Sequence, residues 1–75
     1  MIQFNMPESG HVNIDVYNVR GQLIRSLVSD YIEKGVHNIE WNGTDDFGRT
    51  VSSGIYFYVM KTNEYQAARS MLLMK

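Results

Sequence analysis

His11-Val12-Asn13-Ile14-Asp15-Val16-Tyr17 is the stretch on which the fold turns. Val12, Ile14 and Val16 fall on one side of an extended chain, and His11, Asn13, Asp15 and Tyr17 on the other. Successive side chains of a strand point to opposite faces, so this pattern describes a strand with one dry and one wet face. Asn18-Val19-Arg20-Gly21 follows as a turn whose glycine takes positive φ without steric cost.

Working outward, the chain reads as short strands divided by turn signals, with no stretch of helical spacing. Ile2 and Phe4 alternate with Gln3 and Asn5 until Pro7, Glu8, Ser9 and Gly10 end that strand. Leu23–Tyr31 is the next strand, with Ile24, Ser26 and Val28 on one face and Leu23, Arg25 and Leu27 on the other. Large apolar groups on both faces leave its register open and point to a bulge or a crossing between sheets. After the turn Glu33-Lys34-Gly35, residues Val36–Trp41 place His37, Ile39 and Trp41 together, facing inward because the indole removes most apolar area from water. Residues 42–53 form a loop rich in glycine and short polar side chains, with a brief strand expected at Arg49–Val51. Ile55–Lys61 is apolar on both faces, which predicts a central strand covered on both sides. Thr62-Asn63-Glu64 turns into a last strand, Tyr65–Met74. Six or seven strands at this spacing predict an all-β fold, an antiparallel β-sandwich, in one domain spanning residues 1–75.

Composition narrows the function. At 75 residues the chain buries only about 60–65% of the surface its unfolded form exposes, so its core is thin. With 44% hydrophobic and 20% charged residues it is globular in composition, and with no cysteine it has neither a disulfide framework nor a thiolate zinc site. Seven basic against eight acidic side chains give no electrostatic basis for gripping a nucleic-acid backbone. The longest apolar runs, Ile55–Met60 and Met71–Met74, are far short of a membrane span.

The residues that can carry chemistry do not assemble. Asp46-Phe47-Gly48 matches the kinase magnesium tripeptide, but the other kinase elements have no counterpart in so short a chain. Asn42, Thr44, Asp45 and Asp46 offer oxygen ligands for calcium, yet Phe47 stands where an EF-hand needs glycine. Asp45 and Asp46 are therefore expected to accept hydrogen bonds from their own turn. His11 and His37 lie on different strands, and Ser52 and Ser53 have no identifiable base. Glu8, Glu33, Glu40 and Glu64 are scattered, so no enzyme is expected. Tyr56 and Tyr58 share a face of the strongest strand, where they either stack a sugar or supply bulk to the core. The sequon Asn42-Gly43-Thr44 matters only in a source that glycosylates such sites.

Four ordered segments carry a resemblance: residues 2–10 (Ile2-Gln3-Phe4 to Gly10), residues 16–22 (Val16-Tyr17-Asn18-Val19-Arg20-Gly21-Gln22), residues 35–49 (Gly35 to Arg49, through Trp41-Asn42-Gly43-Thr44-Asp45) and residues 53–58 (Ser53-Gly54-Ile55-Tyr56-Phe57-Tyr58). Together they resemble the FlgD-type immunoglobulin-like domain and its relative, the type A C-terminal sorting domain of the type IX, or Por, secretion system. The resemblance implies an immunoglobulin/fibronectin-III-like sandwich and a non-catalytic role. Arg69-Ser70-Met71-Leu72-Leu73-Met74-Lys75 looks like the basic–apolar–basic ending that outer-membrane export machinery reads in such domains; it departs from that pattern at Ser70, where a second basic residue is frequent. The asparagine–proline approach common before the first strand is absent, so Met1 is read as a start codon at a domain boundary. The implied partners are the secretion machinery and a covalently linked upstream domain of a larger protein, secreted or held on the surface of a Gram-negative bacterium. An accessory carbohydrate-binding or spacer domain of a glycoside hydrolase, and a part of a flagellar hook-capping scaffold, are the alternatives.

Overall fold

The structure is a computed structural model that describes residues 2–64 and 66–74. It is all-β, with six strands: β1 (Ile2–Met6), β2 (Gly10–Asn18), β3 (Leu23–Ile32), β4 (Gly35–Ile39), β5 (Gly54–Lys61) and β6 (Gln66–Leu73). All pairings are antiparallel, and they form two sheets, β1-β4 and β3-β2-β5-β6. The expected sandwich is present, with four strands in one layer and two in the other.

Period two in the sequence becomes burial in the structure. Ile2, Phe4 and Met6 of β1 and Val12, Ile14 and Val16 of β2 are all buried, while Gln3 and Asn5 are exposed. Ile2, Phe4, Met6, Val12 and Ile14 form one central cluster with Val28 and Met60, and Leu27, Ile32, Ile39, Tyr58 and Met71 pack partly buried against it. The turn after β2 is built as its residues suggest. Gly21 adopts φ +80°. The Asn18 side-chain oxygen accepts hydrogen bonds from the backbone of Arg20 (2.9 Å) and Gln22 (3.0 Å).

Where both faces of β3 read as apolar, the strand is bulged. Ile14 pairs with Val28 but Asp15 pairs with Ser26, leaving Leu27 as the extra residue; a second shift falls between Val16 and Tyr17. An extra residue lets two neighbours, Leu27 and Val28, both pack on the core, which regular alternation forbids.

Three expectations are corrected. β5 is interior to its sheet but not covered on both sides, since Ile55 is 53% and Phe57 38% exposed. Only one face of the four-stranded sheet receives the second layer. The brief strand at 49–51 is a single bridge between Thr44 and Thr50; the turn between them is closed by Asp45 N–H to the Arg49 carbonyl (2.9 Å), by Gly48 N–H to the Asp45 carbonyl (3.1 Å) and by the Asp45 carboxylate. The last strand, expected to run to Met74, ends at Leu73; its described part starts at Gln66, and Tyr65, its expected first residue, lies outside the described residues.

Candidate functional site

The segment singled out in the sequence as a partner contact, residues 69–75, lies on β6 and just beyond it. β6 pairs with β5 alone, from Gly54↔Leu73 to Lys61↔Gln66, so it is an edge of the four-stranded sheet. The backbone N–H and C=O groups on its other side have no strand partner among the described residues. Such a row is a template for an incoming strand.

The two edges of this sheet differ. The outer edge of β3 is partly closed by the loop between β4 and β5: Asp46 N–H donates to the Ile24 carbonyl (3.1 Å), and Ser26 N–H donates to Asp46 Oδ1 (3.0 Å). Arg25 also reaches across to Thr44 through an Nη1–Oγ1 hydrogen bond. Among the described residues no loop makes a comparable contact along β6.

The side chains of the segment divide between the faces. Met71 packs against the core and Leu73 is half-buried, whereas Leu72 is 64% exposed and sits beside Ile55 on the outer face. Arg69 and Met74 are exposed, and Lys75 lies outside the described residues. No single flat surface gathers Arg69, Met71, Leu72, Leu73 and Met74; what they share is the backbone of one edge. Beside that edge is a groove of about 290 Å³ lined by Ile2, Trp41, Tyr58 and residues 70–73.

Tyr56 and Tyr58 do not make an exposed sugar platform. Tyr56 is only 6% exposed, its hydroxyl donates to the Ser52 carbonyl (2.7 Å), and its ring meets Trp41 edge-on at 5.0 Å between centroids. Tyr58 is partly buried against the core. Both point between the sheets because they share the face of Met60, which the second layer covers. Trp41 is held there too, its indole N–H donating to the Thr44 carbonyl at 2.9 Å.

The oxygen-rich loop is arranged around hydrogen bonds. Asp45 Oδ1 accepts from the backbone N–H of Phe47 and of Arg49, each at 2.9 Å, and Oδ2 faces Arg49 Nε at 3.0 Å. Asp46 departs from expectation: its carboxylate binds β3, twenty residues away, rather than its own turn. The Arg49 guanidinium also lies over the exposed Phe47 ring, 5.1 Å from its centroid. Among the described residues no three side chains of histidine, aspartate or glutamate converge as a metal cage would require. His11 is exposed on β2, while His37, on the other sheet, stacks on Phe4 at 5.5 Å and donates Nε2–H to the Glu33 carbonyl at 2.6 Å.

The bonds that close this turn hold the Asp45 carboxyl below its ordinary value of 3.8, the backbone N–H of Arg49 being the largest cause. A carboxyl lowered on folding stabilises the fold in full above the unfolded value and loses that effect as pH falls through the folded one. Melting temperature is therefore expected to drop on acidification from about pH 5 to below 3.8. In Asp45→Asn this acid limb is flatter and the neutral-pH melting temperature is lower. Thermal scans of both proteins across that range are the measurement.

A two-layer, all-antiparallel sandwich of this strand order belongs to the class of immunoglobulin-like modules. The chain is a member of the FlgD Ig-like domain family, which matches residues 1–65, and this family is a non-enzymatic domain type. Comparison with curated proteins and with solved structures gives no significant match.

Proposed function

We propose that this domain is a C-terminal sorting and surface-attachment module of a secreted bacterial protein, read by the type IX export machinery through its last strand. The observation that carries the reading is the open edge of β6, whose sequence holds the basic–apolar ending Arg69 to Met74. A recognition strand that pairs with this edge gains main-chain hydrogen bonds, and the groove beside Trp41 and Tyr58 receives alternate side chains. Such a module needs no pocket for a reaction, only an autonomous fold that holds its tail outward.

The family match ends at residue 65, so the segment that carries this reading lies beyond it. That match favours a second reading, an immunoglobulin-like part of a flagellar hook-capping scaffold, in which β6 simply completes the sheet.

A periplasmic reporter fused ahead of the chain, expressed in a type IX-competent host, separates the two. Export to the cell surface is expected, with loss of export when residues 69–75 are deleted. A reporter that stays periplasmic, while a fusion carrying a proven sorting domain is exported, rejects the sorting role.

A further inference from the structure

The two edges of the four-stranded sheet differ in their acids. β3 contains Asp30 and has Asp46 folded onto it, whereas residues 66–74 hold neither aspartate nor glutamate. In an antiparallel ladder, residues that bond one neighbouring strand alternate with residues whose N–H and C=O face the other way. The bonds to Asp46 mark Ile24 and Ser26 as facing away from β2. Leu27 is the extra residue of the bulge, so beyond it the outward positions become Ser29 and Tyr31. The Tyr31 N–H is taken as well, donating to Asp30 Oδ1 at 2.7 Å. The Ile24 carbonyl and the amides of Ser26 and Tyr31 are thus occupied with no strand beside them. Carried across the register, the same alternation turns Ala68, Ser70 and Leu72 outward on β6. Among the described residues no side chain or loop accepts from their amides.

We propose that Asp46 and Asp30 seal the β3 edge, so that this sheet accepts an added strand at β6 alone. A strand arriving at β3 has to displace two carboxylates. Their hydrogen bonds are charge-assisted and stronger than the neutral ones it offers in exchange. The bulge at Leu27 also twists this edge away from the flat form that pairing needs. The assignment concerns β3 and stands whether or not export machinery reads β6.

Site-resolved amide hydrogen exchange is expected to find Ser26 and Tyr31 protected although they lie on an edge, with Ala68 and Ser70 exchanging freely. In Asp30→Ala/Asp46→Ala the first two exchange about tenfold faster. Asp30→Asn/Asp46→Asn keeps a carbonyl acceptor at each place and retains most of the protection. Once opened, β3 is a template for β3 of a second copy. Sedimentation of the alanine variant at rising concentration is therefore expected to show an association that the parent chain and the asparagine variant lack. Adding Ser29→Pro to the alanine variant removes an outward N–H without breaking a bond to β2, and abolishes that association. Adding Ser70→Pro, on β6, leaves it in place. Fast exchange at Ser26 and Tyr31 in the parent chain overturns the proposal without any variant. So does a cooperatively melting alanine variant that associates no more than the parent, an asparagine variant that behaves as the alanine one, or an association that survives Ser29→Pro.

Discussion

An Ile14→Ala protein is expected to be about 3–4 kcal/mol less stable than the parent chain. Ile14 is fully buried on β2, an inner strand, opposite Val28 on one side and Met60 on the other. It belongs to the same buried cluster as Ile2, Phe4 and Met6 of β1, on the other sheet. Removing three carbons from such a site loses their transfer free energy and leaves a cavity that neighbours hydrogen-bonded on both sides cannot collapse into. A chain of this size has about 4–11 kcal/mol of stability to lose. The melting temperature should therefore fall by about 15–25 °C. Asn13→Ala, one residue away on the opposite face, should change stability by no more than about 0.5 kcal/mol. Thermal and urea unfolding followed by circular dichroism measure both. A loss below about 1 kcal/mol for Ile14→Ala would mean that β1 does not cover β2.

Tyr56→Ala is expected to cost about 3–5 kcal/mol, because the ring fills the space between the sheets against Trp41. Tyr56→Phe keeps the ring and removes only the bond to Ser52, for a loss of about 1 kcal/mol. Phe57→Ala, one position along β5, removes a ring that points away from the second layer and should cost less than about 1 kcal/mol. Equal losses for Tyr56→Ala and Phe57→Ala would show that both faces of β5 are covered. Unfolding in urea is the cleaner assay, since an unchanged slope shows that the mutants unfold by the same transition.

The contrast between these neighbours shows how far the residues alone can be read. Alternation in residues 11–17 places Val12, Ile14 and Val16 inside without ambiguity, because a one-residue slip would turn all three out into water. Residues 55–60 carry apolar groups on both faces, and local pattern has no means of saying which face meets a second layer. The same lack of contrast hides the bulge at Leu27. Asp46 is a harder case: nothing near it in the chain signals that its carboxylate will bind the backbone of Ser26. The segment 69–74 is visible as a basic–apolar ending, but its place on an open edge is not, since an edge is defined by strands that lie elsewhere in the chain.

Periodicity and turn chemistry were enough to set strand identity, the inward residues of β1 and β2, and the Asn18–Gly21 turn, because each depends on neighbours a few bonds apart. Strand order, the shifts in β3, the closing of one sheet edge by Asp46 and the exposure of Ile55 and Phe57 were decided by tertiary structure alone. Those features follow from how a two-stranded layer sits on a four-stranded one. That balance involves every strand at once and is written in no single segment.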